Sequence, residues 1–245
     1  MVTTAPLTGD VAVVSGATSD VGRAVCIRLA EAGVQICLLG RDLSSLEDLA
    51  NVARGLTDRV VAYPFDLTRD SSITETVNRV ERELGRVDVL VHSAGVFEMG
   101  PHECAAVADL DQQYQTNVRG PYLLTQSLLP QLRACRGQVI FVNSTVGLEA
   151  RAGVGQYAST QHALRAIADA LRAEVNRDGV RVLTLYLGRT ATARQAAVFR
   201  REDRPYAPEL LIQPDDVAQM ILAALRLPRT AEVTEMRMRP LIKSY

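Results

Sequence analysis

The 245-residue sequence predicts a single doubly wound α/β domain built on a parallel seven-stranded sheet. Three observations point there. Strand-length apolar runs alternate with helical patterns along the whole chain. The runs are almost continuously apolar, as in strands buried on both faces. No linker, repeat or low-complexity stretch divides residues 1–245.

Taken in order, Val11-Ala12-Val13-Val14 is the first buried strand. A Gly/Ser turn, Ser15 to Gly22, leads into a helix over Val21–Ala32, and Gly33 is a good stop for it. Val34–Leu39 reads as a strand, Leu43–Ala53 as a helix, and Val60, Val61 and Tyr63 as a third strand before Asp66-Leu67-Thr68. Ile73, Val77, Val80 and Leu84 make one stripe of a helix over Ser71–Leu84, closed by Gly85. Val87–Val91 is the fourth strand. Ala105–Leu132 reads as one long helix bent at Gly120-Pro121, because proline removes an N–H and crowds the preceding turn. Gln138–Asn143 is a strand, and a long helix over residues 154–176 starts near Gly155. Val180–Leu185 is the sixth strand. Residues 188–213 read as loop-rich; Pro214–Leu225 is a helix with proline and two aspartates in its first turn. Val233–Met238 alternates as a last strand.

Bulk properties exclude some partners. With 47% hydrophobic and 22% charged residues the composition is that of a globular protein. A net charge of −1 gives no reason to expect nucleic acid or an anionic membrane. Lys243 is the one lysine among 27 basic residues, which we read as compositional habit rather than a phosphate-binding surface. Cys26, Cys37, Cys104 and Cys135 include no C-x-x-C pair; three sit in apolar patterns and read as buried thiols, and no metal site is expected. Residues 1–10 lack the pattern of a signal peptide and no apolar run reaches membrane-span length, so a cytoplasmic location is expected.

The first turn carries the first chemistry. Gly16 permits a tight turn and Gly22 lets helix approach strand, while Thr18, Ser19, Asp20 and Val21 lead the chain into a helix N-terminus. Free N–H groups and a positive dipole end suit a pyrophosphate there, as in a Rossmann-type dinucleotide site. After the second strand, Gly40 leaves room and Arg41 offers a guanidinium where an acidic residue would select NAD(H); this favours NADP(H).

With these pieces and those that follow, the chain resembles the short-chain dehydrogenase/reductase family from about Asp10 to Pro240. The matching stretches are Ser15 to Gly22, Asp66-Leu67, His92-Ser93-Ala94-Gly95, Asn117, Ser144, Tyr157 thirteen residues later, and Leu187 to Thr192. The resemblance implies that Asp66 and Leu67 meet the adenine and that Ser93, Ala94 and Gly95 line the cofactor. It implies that Gly188, Thr190 and Thr192 meet the nicotinamide end and that Asn117 holds an active-site water. Tyr157 becomes a general acid and Ser144 the donor to a substrate carbonyl oxygen.

Three positions depart from the family pattern. Asp20 stands for the middle glycine, where it can tolerate left-handed backbone or cap the helix, its charge being mildly unfavourable beside a pyrophosphate. Leu187 stands for a proline and should loosen the turn after the sixth strand. Gln161 stands for the lysine one helical turn after the tyrosine. Glutamine can bond ribose hydroxyls but supplies no charge, and an adjacent cation is typically worth about 1–3 units of pKa. Arg165, a further turn along, is no evident compensation.

The expected activity is reduction of a small-molecule carbonyl or imine with NADPH, because the protonated phenol is the form present near neutrality. The alternative is a non-catalytic NADP-binding homologue acting as sensor or scaffold. Residues 188–213 would cover the substrate, and their five arginines read more as a solvated lid than as an anion site. The resemblance also implies a homodimer or homotetramer through the two long helices, with Ala163, Ala166, Ala170 and Leu171 as candidate contacts.

Overall fold

The computed structural model describes residues 6–242, so Lys243 lies outside the described residues. Seven parallel strands stand in the order β3-β2-β1-β4-β5-β6-β7. They are β1 (Val11–Ser15), β2 (Gln35–Gly40), β3 (Val60–Pro64), β4 (Val89–His92), β5 (Gln138–Ser144), β6 (Arg181–Leu187) and β7 (Glu235–Met238). The helices are α1 (Asp20–Glu31), α2 (Leu43–Arg54), α3 (Asp70–Leu84), α4 (Val107–Tyr114), α5 (Gly120–Cys135), α6 (Gly155–Val175), α7 (Ala193–Arg201) and α8 (Pro214–Leu225). The alternation read from the sequence is thus a single doubly wound domain.

Each strand feeds two cores because successive side chains point to opposite faces. Ala12, Val14, Ile36 and Leu38 pack with α1, α2 and α8; Val13, Cys37, Leu39 and Phe141 pack with α3, α5 and α6. Arg28 on α1 grips Asp215 on α8 through two bonds of 2.6 and 2.7 Å. The strand order reverses between β1 and β4, which opens a crevice beyond the carboxyl ends of the strands. Ser15, His92, Ser144 and Leu187 all end their strands on that edge.

Several expectations are corrected. The long helix is irregular one turn before Gly120-Pro121: Gln115–Arg119 is a π turn, in which the Gly120 N–H reaches back five residues to the Gln115 carbonyl. Pro121 has no N–H to give the Asn117 carbonyl, so the regular ladder fails at Asn117 itself. Gly120 is needed for another reason, since a Cβ there would sit 2.7 Å from the Leu67 carbonyl oxygen. Residues 188–213 are loop-rich, as read, but they also contain a helix the sequence did not show, α7, and a short 3₁₀ turn over Pro208–Leu210. Leu187 does not loosen its turn. It stays in the ladder, paired with Ser144 and Met238, and Gly188 N–H bonds the Met238 carbonyl at 2.9 Å. The cysteines divide: Cys26 and Cys37 are buried, Cys135 is half-buried and Cys104 exposed.

Candidate active site

The crevice is a cleft of about 320 Å³. Its walls include Ser19 capping α1 and Asp20 and Val21 from it, Ser93, Ala94 and Gly95 after β4, Asn117 from the π turn, and Ser144 from β5. Tyr157 and Gln161 come from α6, and Gly188, Thr190 and Thr192 follow β6. Gly16, Thr18, Gly22, Arg41, Asp66 and Leu67 do not line it.

The loop at the end of β1 is built on two glycines. Gly16 has φ +69°, and a Cβ there would lie 2.5 Å from the Ala94 backbone nitrogen. A Cβ on Gly22 would run into the Gly16 carbonyl oxygen. Both close approaches bring the α1 N-terminus against the end of β4, where Ser19 and Ser93 hydroxyls stand 3.4 Å apart. Ser19, not Asp20, caps α1, accepting from Gly22 N–H at 3.1 Å. Asp20 begins the helix, and its carboxylate accepts from the Ala193 N–H at 3.0 Å, capping α7 instead.

At the far end, Gly40 is buried and Arg41 exposed. Burial raises the Asp66 carboxyl. The Thr68 N–H and hydroxyl, then the charges of Arg41 and Arg69, more than offset that and leave it below its ordinary range. Arg41 and Asp66 therefore share one surface beyond the second and third strands. Leu67 is buried against Gly120, a packing role.

The catalytic end is held by a buried polar lattice. Asn117 Nδ2 donates to the Val96 carbonyl at 2.9 Å and to Thr160 Oγ1 at 3.2 Å, while its Oδ1 accepts from Val96 N–H at 2.8 Å. Its amide thus ties the loop after β4 to α6; only the backbone carbonyl beside Pro121 is left to the role of water holder. Thr160 Oγ1 donates in turn to the Tyr157 carbonyl at 2.8 Å, and Gln161 Nε2 reaches Thr160 Oγ1 at 3.3 Å. Asn143 Nδ2 donates to the Gln161 carbonyl at 3.0 Å, and its Oδ1 accepts from Ser144 N–H at 2.6 Å. Asn143 and Thr160 were not singled out in the sequence, although a polar residue closing an apolar strand was a usable signal.

Tyr157 lies edge-on to Phe97, with ring centroids 4.8 Å apart. Burial pushes its phenol above the usual value; the nearby charge of Arg194 and a hydrogen bond with Ser144 pull it partly back. So Ser144 and Tyr157 meet, as the resemblance implies. Gln161 is buried beside them and neutral. Arg165 turns away, 3.9 Å from Asp169 and 3.5 Å from Glu235. His92 stacks on Phe141 and bonds Thr125 at 2.8 Å; burial lowers it to about 3, so it stays uncharged near neutrality.

The arginines of the covering segment are mostly exposed, but three of them are held in place. Arg189 grips Glu202 at 2.6 and 2.9 Å, Arg201 meets Glu98 at 2.9 Å, and Arg194 donates to the Gly95 carbonyl at 2.5 Å. Arg194, one of the five arginines of this segment, lines the cleft.

Comparison with known proteins matches this arrangement. Glycine betaine reductase ATRR of Emericella nidulans is 31% identical over 241 residues, covering 96% of this chain but 19% of that protein. An uncharacterized oxidoreductase of Staphylococcus aureus (strain USA300) is 30% identical over 235 residues, 96% of this chain and 98% of its own length. The structure of an alcohol dehydrogenase from the archaeon Thermococcus sibiricus, complexed with 5-hydroxy-NADP, superposes with a TM-score of 0.86 at 26% identity, covering 96% of this chain and 98% of that one. The short chain dehydrogenase model matches residues 10–203, spanning the glycine loop, Ser144 and Tyr157. The sheet order, the switch-point cleft and these matches together make the chain a member of the short chain dehydrogenase family, an oxidoreductase family whose fold binds a nicotinamide dinucleotide.

Proposed function

We propose that the protein is an NADPH-dependent reductase of a small-molecule carbonyl or imine. The observation that carries this is that Ser144 and Tyr157 line the same cleft, the one the α1 N-terminus opens on, with the Ser144 hydroxyl near enough to ease the ionisation of the Tyr157 phenol. The donor set fits a dinucleotide. The first-turn N–H groups of α1 suit the pyrophosphate, the Ser93–Gly95 backbone the ribose, and Thr190 and Thr192 the nicotinamide amide. Arg41, exposed beyond Gly40, suits a 2′-phosphate, which is the ground for NADP(H) over NAD(H). The bound cofactor supplies a hydride. Ser144 donates a hydrogen bond to the substrate oxygen as negative charge grows on it, and Tyr157 delivers the proton. Gln161 offers its amide to ribose hydroxyls.

A second reading has its own observation. With Gln161 neutral and the phenol raised by burial, the fold can bind NADP without turnover, as a sensor or scaffold. NADPH consumption with a panel of ketones, aldehydes and imines separates the two. Turnover by the parent that Tyr157→Phe abolishes supports the reductase. A silent parent that Gln161→Lys switches on supports the scaffold.

Assembly as a homodimer or homotetramer through α4–α5 and α6 belongs to the same reading. Val107, Tyr114 and Tyr122 are exposed there, as are Ala166 and Ala170, whereas Leu171 is buried in its own core. No helix among the described residues is long and apolar enough to cross a membrane. A cytoplasmic location is proposed from the thiol pattern.

A further inference from the structure

A phenol with an ordinary pKa of about 10 needs a neighbouring cation to work well near neutrality. Gln161 cannot be that cation. Three arginines reach the cleft: Arg151, Arg189 and Arg194. Arg189 is committed to Glu202, and Arg151, exposed like Arg194, is not among the charges that act on the Tyr157 phenol, whereas Arg194 is. Arg194 comes from the second residue of α7 and is set down on the Gly95 carbonyl, beside Asn117. Two residues further along that loop, Phe97 packs its ring on Tyr157. The loop after β4 is therefore touched both by the guanidinium and by the Tyr157 ring.

What fixes Arg194 is the start of its helix. Thr192 caps α7 by accepting from Gln195 N–H at 3.1 Å, and the Asp20 carboxylate accepts from Ala193 N–H at 3.0 Å. An acceptor at a helix N-terminus is favoured by both the free N–H and the dipole. A glycine at position 20 could not make the second of these contacts. Asp20 thus joins the phosphate loop to the covering helix, one residue before Arg194.

We propose that Arg194 supplies the positive charge that Tyr157 lacks from Gln161, and that Asp20 is the positioning residue that holds Arg194 there. The inference rests on Tyr157 being the proton donor. In the reduction the Tyr157 O–H bond breaks as its proton goes to the substrate oxygen, while a hydride from NADPH goes to the carbon. The phenolate left behind is stabilised by the Arg194 guanidinium. The site's charge then belongs to the covering helix, so the acid is tuned when that helix is seated.

The other ionisable groups around Tyr157 do not serve. His92 on β4 is kept neutral by burial, and Asp20 and Glu202 are carboxyl groups engaged elsewhere, Asp20 on the Ala193 N–H and Glu202 on Arg189. Glu98 is tied to Arg201. His102 lies close against Gly155, and His162 on α6 bonds the Ala158 carbonyl.

The test replaces Tyr157 with 3,5-difluorotyrosine, whose phenol titrates nearer neutrality, and follows its ultraviolet absorbance in the cofactor-free protein. Arg194→Gln should raise the phenol pKa by about one unit, the low end for a partly exposed cation. Arg194→Lys should keep it low, and adding Gln161→Lys to Arg194→Gln should restore it. Asp20→Gly should shift it the same way by a smaller amount. In parallel, the pH profile for reduction by the otherwise native protein should move with the phenol. A phenol titration unchanged by Arg194→Gln overturns the proposal, even if KM for anionic substrates rises, which would make Arg194 a substrate anchor. If Tyr157→Phe retains full activity, the proton-donor reading fails by itself, because the titration is read without turnover.

Discussion

The two ends of the cleft are built on different principles. The phosphate end is made of backbone: Gly16, Gly22 and the α1 N-terminus bring N–H groups to a place where a Cβ would collide. The catalytic end is made of side chains drawn from four segments far apart in sequence. Asn143, Asn117, Thr160 and Arg194 each fix a group that acts, and none sits in a local motif with another. A backbone site needs particular residues in a row. A side-chain site needs only that the fold bring partners together.

The largest effects should separate the ends. Tyr157→Phe keeps the ring against Phe97 and removes the acid. We expect a loss of roughly 10²–10⁴ in kcat, with NADPH affinity by fluorescence titration within about twofold, a change too small to signal a damaged cofactor end. Loss of NADPH binding in that variant would show that the two ends are not separable. Gly16→Ala is the reverse experiment. A methyl at φ +69°, 2.5 Å from Ala94 N, strains the backbone or pushes β4 away. Left-handed strain alone is about 1–3 kcal/mol, so the urea midpoint should fall and NADPH binding with it. An unchanged midpoint would mean that the loop re-forms around the methyl.

How far each end was legible follows from the same distinction. The sheet was legible because every strand but the last is a dense apolar run. The last, β7, alternates and is half exposed, and it begins two residues later than the pattern suggested. The long helix over residues 105–132 was legible as helix, but its fault was placed at Pro121 when the strain surfaces a turn earlier, at Asn117. In the covering segment α7 was missed: Ala193 to Arg201 is rich in arginine and has one buried apolar side chain, Phe199. Its stability comes from the Thr192 and Asp20 caps and from Arg189 and Arg204 stacking on Phe199, tertiary contacts that no local pattern announces.

His92 ends β4 between the two regions and gives a pH test of the floor they share. Its folded pKa is depressed to about 3 from 6.5 by burial. The unfolded chain therefore binds a proton that the folded chain refuses between those values, and stability rises with pH across that window. Lowering pH from 7.5 to 4.5 should cost the parent up to about 2–3 kcal/mol through this group. His92→Asn should be less stable at pH 7.5, through the lost stack on Phe141, yet lose less on acidification. Equal acid losses in parent and variant, measured by urea unfolding, would show that His92 charges in place and that the floor is wetter than its burial implies.

The smallest expected effect lies furthest from the chemistry, at Arg41. It stands exposed beyond Gly40, near enough to Asp66 for its charge to favour the carboxylate. If the guanidinium meets a 2′-phosphate, Arg41→Ala should weaken NADPH by roughly tenfold, in line with a charge-assisted bond of about 1.5–3 kcal/mol discounted for solvent. NADH should be nearly unaffected, so the ratio of the two affinities is the quantity to measure. That loss should shrink as salt rises, since an exposed ion pair is screened within about 10 Å at 0.1 M. Gly16→Ala should weaken both cofactors alike. A fall in NADH affinity equal to that in NADPH would mean that Arg41 shapes the loop instead of reading the phosphate. The adenosine end would then be a second backbone site, and the distinction between the two ends would run between Arg41 and the cleft.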